Sequence, residues 1–169
     1  ADAYIDNVKL EVSLDRPEEA RTVAPDYGFS RHVVASRSGL YAVRAGVAAL
    51  LSACPIAPEH IAVYGPQIVV ASGSDVRVSW NDGVEWTQYT APGLVRQLFA
   101  GQAASFISGD APTGTVIALT ADGEAVVIRK SEEEFSTTHY GPPGSAHVSI
   151  DRRRRASVWT SSTGSITWV

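Results

Sequence analysis

Val76-Arg-Val-Ser-Trp-Asn-Asp-Gly-Val-Glu-Trp-Thr-Gln-Tyr-Thr90 is the stretch on which the fold turns. Val76 and Val78 alternate with polar neighbours, as on a half-buried strand. Asn81-Asp82-Gly83 is turn chemistry, because Asn and Asp bond their own backbone and Gly accepts positive φ without steric cost. Trp86 then opens a second run, Trp86–Thr90, rich in aromatic and β-branched residues. Together they predict a strand, a tight polar turn, and a tryptophan that plugs the hairpin back into the core.

Outward from this hairpin the chain repeats itself. His32-Val-Val-Ala-Ser36 aligns with Ile68-Val-Val-Ala-Ser72, Val116-Ile-Ala-Leu-Thr120 and Ala156-Ser-Val-Trp-Thr160. From Val33 through Val69, Ile117 and Ser157 the steps are 36, 48 and 40 residues, near the 40–50 residues of a four-stranded propeller blade. Each copy is followed by a turn and a second strand: Leu40–Arg44, Val76–Ser79, Glu124–Ile128 and Ser165–Val169. Earlier strands of the units are expected at His60–Tyr64, Ala104–Ser108 and His147–Asp151. Ala42–Ala53 is the best helix candidate on composition, but the register places strands there. The expected fold is all-β, built of antiparallel propeller-like blades, with a β-sandwich as the alternative.

The segment Ser79-x-Asn81-x-Gly83-x-x-Trp86 resembles the Asp-box, or BNR, repeat of sialidase-like β-propellers. Asn81 stands where that family has Asp, which keeps the side-chain bond to the turn and removes the charge. The resemblance implies that Ser79, Asn81, Gly83 and Trp86 are structural and not catalytic. Tyr4-Ile-Asp-Asn-Val-Lys-Leu-Glu11 resembles the closing strand of jelly-roll carbohydrate-binding modules. Residues 1–15 are thus expected to be a strand from or linking to a neighbouring β module, 16–26 a linker with two prolines, and 27–169 the blades. The last unit lacks an outer strand. The 1–15 strand, further blades in a longer parent chain, or a neighbouring copy could supply the closure, and the second is preferred because both ends look cut.

With 169 residues, 44% of them hydrophobic, the chain has the composition of a globular domain. A net charge of −4 gives no basic face for nucleic acid. No apolar run approaches the ~20 residues that cross a bilayer as a helix, and no segment resembles a signal peptide. The lone Cys54, in Leu50-Leu-Ser-Ala-Cys54-Pro-Ile56, reads as a buried thiol.

Few residues suggest chemistry. His32, His60, His139 and His147 lack metal-ligand spacing, so no metal or other cofactor is expected. Sialidases clamp a carboxylate with an arginine triad, and no triad is legible here, so a glycoside hydrolase is the least supported reading. Arg152-Arg-Arg-Arg155 reads as a solvated turn, with a patch for an anionic partner as the functional alternative. Glu132-Glu-Glu134 reads as a solvated loop, and Asp122-Gly123 as a two-residue hairpin signal of type I′. Most tryptophans and tyrosines are assigned to the core. Trp80, placed opposite Val76 and Val78 in the alternation, is kept as a candidate sugar-stacking platform. These readings point to a non-catalytic recognition or assembly module on an extracellular or virion surface. Its partners would be proteins, copies of itself, or a surface glycan. The rival is a structural component of a phage tail or fibre.

Overall fold

The computed structural model describes residues 2–5, 8–11, 20–37, 39–101, 115–130, 135–139, 145–151, 156–161 and 166–168. The protein is all-β, with no helix among the described residues. A hairpin of β1 (Asp2–Ile5) and β2 (Val8–Glu11) comes first. It corrects the expectation of one strand across this region: two short strands pair antiparallel, with Ile5 opposite Val8.

Three four-stranded antiparallel sheets follow in chain order, each a meander. The first is β3 (Thr22–Asp26), β4 (Arg31–Ala35), β5 (Gly39–Arg44) and β6 (Val47–Ala53). The second is β7 (His60–Tyr64), β8 (Gln67–Ser72), β9 (Asp75–Ser79) and β10 (Thr87–Thr90). The third is β11 (Val95–Gly101), β12 (Thr115–Thr120), β13 (Ala125–Lys130) and β14 (Phe135–His139). A three-stranded sheet, β15 (Ser145–Asp151), β16 (Ala156–Ser161) and β17 (Ile166–Trp168), ends the chain. The first strands of successive sheets are neighbours, β7 lying against both β3 and β11. Among the described residues no closed ring is formed, and a layered sandwich accommodates the same sheets.

The four aligned repeats are the second strands of the four sheets, β4, β8, β12 and β16. Packing explains why the first three carry the signature. Along β8, Ile68 and Val70 enter a cluster with Val33, Ala35, Leu40 and Val63 of the first and second sheets. Val69 and Ala71 enter a second cluster with Val95, Leu98, Val116, Ala118 and Ile128 of the third. Both faces are covered, so the strand reads as a continuous apolar run and not as an alternation. Each fully buried Val, Leu or Ile contributes about 1.5–3 kcal/mol relative to exposure, and β4, β8 and β12 supply six of the eleven largest fully buried side chains.

Two expected boundaries shift. Residues 22–26, the end of the expected two-proline linker, form β3, which lies at an edge of its sheet. Proline, lacking an N–H, is tolerated at such an edge. The strand that pairs with β12 is β11 at Val95–Gly101; the segment Ala104–Ser108 lies outside the described residues. At Asp122-Gly123 the loop is longer than expected. Gly123 N donates to Thr120 O at 3.1 Å, Thr120 N to Glu124 O at 2.8 Å, and only Gly123 has positive φ there. This is a three-residue loop with glycine in the left-handed position, not a type I′ turn.

Ala45 and Gly46 make the two-residue link between β5 and β6, with φ of 47° and 78°. Both central residues lie in the left-handed region, which disfavours alanine by about 1–2 kcal/mol and suits Asn-Gly. Ala45 is exposed, so a larger polar side chain meets solvent there. Ala45→Asn is therefore expected to stabilise the fold by about 0.5–1 kcal/mol, seen as a rise of about 2 °C in thermal midpoint.

Candidate functional site

The turns at one end of the first two sheets converge on a buried arginine. Asp26 closes β3 and its side chain is fully buried, with Arg31 only 3% exposed at the start of β4. One carboxylate oxygen of Asp26 accepts from the backbone N–H of Gly28 at 3.0 Å, Phe29 at 3.3 Å and Gly65 at 2.6 Å. The other accepts from Arg31 Nε at 2.8 Å. The guanidinium then donates to the carbonyl of Gly65 at 3.1 Å and to both carboxylate oxygens of Asp82. Phe29 stacks on it, with the guanidinium carbon 5.0 Å from the ring centroid.

Burial opposes the arginine's charge, but hydrogen bonds to Asp82 and Asp26 more than offset that and leave its pKa raised. It stays charged at any accessible pH. The planar fork matters: one side chain reaches two carboxylates and a carbonyl on three separate turns, which a lysine ammonium cannot reproduce. The cluster joins the β3–β4 turn, the Gly65-Pro66 turn between β7 and β8, and the β9–β10 loop.

That loop contains the expected turn residues Ser79, Asn81, Gly83 and Trp86, which come together. The buried Ser79 hydroxyl accepts from Gly83 N at 2.8 Å and donates to Asn81 Oδ1 at 3.0 Å. Asn81 Oδ1 also accepts from Glu85 N at 2.9 Å, and Trp86 Nε1 donates to Gly83 O at 3.0 Å. Trp86 packs against the cluster between the first two sheets. Asp82 and Gly83 hold φ of 62° and 86°, and Asp82 N donates to Pro66 O at 2.8 Å. The spacing thus places one hydroxyl and one amide where they satisfy the backbone of a left-handed turn.

Asn81 has a partner that aspartate would lack, since its Nδ2 donates to Glu85 Oε2 at 3.1 Å. Asn81→Asp would set two carboxylates against each other at a solvent-exposed site. The substitution is expected to be less favourable in the native background than in Glu85→Gln, with a coupling of about 0.3–1 kcal/mol in a double-mutant cycle of urea unfolding.

The structure corrects the expected orientation of Trp80. Positions 76, 78 and 80 share one parity, and all three side chains pack in the cluster between the second and third sheets. Trp80 is 9% exposed, so its ring faces are spent on packing and are not open to a sugar. Arg152, Arg153, Arg154 and Arg155 lie outside the described residues, as do Glu132–Glu134. Cys54 is buried, and burial pushes its thiol pKa up, the setting of an inert thiol. No group of three His, Cys, Asp or Glu side chains suited to a metal occurs among the described residues.

Reading the sequence missed the arginine cluster and the side chains around it. Tyr27 is 69% exposed, Phe29 43% and Val84 76%, all on the turns that Asp26, Arg31 and Asp82 hold. The available signal was Asp26-Tyr-Gly-Phe29: an aspartate two residues before a glycine predicts a side-chain-capped turn, here with an aromatic on either side of the glycine. No protein-family model matches the chain, and no curated protein matches it in sequence.

Proposed function

We propose that this chain is a non-catalytic recognition module of an extracellular or virion surface, and that it holds a glycan against the turns around Tyr27 and Phe29. The observation carrying this reading is the exposure of two aromatic rings on a turn whose backbone N–H groups are fixed by a buried carboxylate. Rigid, exposed aromatics lose little conformational entropy on binding, which is why they recur as anchors in recognition surfaces. The carboxylates and guanidinium beneath are engaged in holding the turns, a structural use of groups that hydrolysis would need at a cleft. The Asp-box resemblance of Ser79–Trp86 supports a blade-like scaffold of the kind found in sialidase-like propellers.

A glycan array with the native chain and with Tyr27→Ala tests it. Binding to a defined glycan class, weakened at least about tenfold by Tyr27→Ala, is expected. Absence of binding to every glycan, or equal binding by the variant, would overturn it. Turnover of a fluorogenic sialoside or glucoside would instead restore the hydrolase reading.

A second reading, a structural component of a phage tail or fibre, is favoured by a separate feature, the apolar edge of the first sheet, which has no second partner strand among the described residues.

A further inference from the structure

The outer strands of the first two sheets differ in a way that packing among the described residues does not explain. β10 is four residues long, Thr-Gln-Tyr-Thr, with Gln88 and Thr90 outward and Tyr89 packed toward the core. A short polar strand is a protected edge. β6 occupies the same place in the first sheet but runs seven residues, Val-Ala-Ala-Leu-Leu-Ser-Ala. Among the described residues it pairs with β5 on one side only. Val47 is 69% and Leu50 66% exposed. No proline or charged side chain interrupts it, and the sequence carries no charge from Ala45 to Pro58. One protective device is present, a bulge at Leu51 where the pairing with β5 shifts register. It leaves Val47–Leu50 as a regular edge with no second strand paired to it among the described residues.

We infer that β6 is an interface between two copies of this chain, which pair antiparallel along it. Edge pairing is satisfied by any backbone, so the occupant is identified by its side chains. A charged or polar strand would leave Val47 and Leu50 uncovered, or bury its own polar groups beside them at a cost. The matching strand is uncharged and apolar. Among the described outer strands β6, β10, β14 and β17, the uncharged apolar ones are β6 and the three-residue β17, and only β6 matches the length of the exposed edge. Self-pairing also brings no like charges into opposition, even though each chain carries a net charge of −4. A twofold arrangement uses the same edge on both copies and closes on itself, so assembly stops at the dimer. The four residues Val47–Leu50 span roughly 13 Å, a small interface, so a weak, reversible dimer with a dissociation constant of tens of micromolar is expected. The inference does not depend on what the turn end binds.

Sedimentation of the native chain and of Leu50→Lys, from about 1 to 100 µM, tests it. Leu50 is exposed, so the variant should keep the native circular dichroism while its dissociation constant rises at least about tenfold. Thr90→Lys, on the edge of the second sheet, should leave association unchanged. Backbone amides of β6 should gain hydrogen-exchange protection with concentration in the native chain and not in Leu50→Lys. A native chain that remains monomeric at the highest concentration overturns the inference. So does a dimer that Leu50→Lys leaves intact, or one that Thr90→Lys weakens equally. Glycan binding by a monomer would remove this interface and leave the proposed function standing.

Discussion

Arg31→Met is expected to destabilise the fold by about 3–5 kcal/mol, the cost of breaking a buried ion pair from one side. Methionine fills much of the space, so the loss is electrostatic and not a cavity. Asp26 keeps its three backbone donors on one oxygen but loses the Arg31 donor on the other. The Gly65 carbonyl loses a donor at the same time. A carboxylate buried without its counter-charge must either remain charged at high cost or bind a proton. Urea unfolding should show the midpoint falling with little change in slope. Arg31→Lys should recover only part of the loss, because an ammonium cannot reach Asp26, Gly65 and Asp82 together. Asp82→Asn separates the outer arm from the inner one. Asparagine tolerates the left-handed φ of 62° at this position, and the Asp82 side chain is 35% exposed. Its loss should therefore cost about 1 kcal/mol or less, well below that of Arg31→Met. Equal costs for the two variants would show that Asp26 and Arg31 are not the core of the cluster.

The contrast between those positions also marks what a sequence can disclose. Strands buried on both faces announce themselves as apolar runs, and β4, β8 and β12 were legible because each lies between neighbouring strands and packed sheets. The Ser79–Trp86 turn was legible because its bonds are local, all within eight residues of chain. The arginine cluster is different in kind. Asp26 and Arg31 are close in sequence, but Gly65 and Asp82 join them only after the sheets have come together, 34 and 51 residues from Arg31. No pattern in the chain foretells that meeting. Trp80 failed for a simpler reason: period two places it with Val76 and Val78, and counting parity would have put it in the core. β3 was obscured by Pro25, a residue that argues against a central strand and leaves an edge strand open.

Gly28→Ala is expected to cost about 3 kcal/mol or more, through crowding and not through backbone strain. A Cβ there would lie 2.5 Å from Gly65 N and 2.8 Å from Gly65 Cα. Both contacts are backbone, so no side chain can swing aside to make room. Relief requires the β3–β4 turn to draw away from the β7–β8 turn, and that movement breaks the hydrogen bond from Gly65 N to Asp26 at 2.6 Å. Overpacking alone costs about 1–3 kcal/mol, and a lost bond to a buried carboxylate adds about 1.5–3 kcal/mol. Gly46→Ala supplies the control. Gly46 has φ of +78°, yet a methyl group added there would meet nothing within 4 Å, so it carries only the left-handed penalty of about 1–2 kcal/mol. If the two variants unfold at the same temperature, the close approach of Gly28 to Gly65 is not what holds the first two sheets in register. If Gly28→Ala falls further and loses the protection of the Gly65 amide in hydrogen exchange, the contact between the two turns is the joint on which the exposed Tyr27 and Phe29 depend for their position.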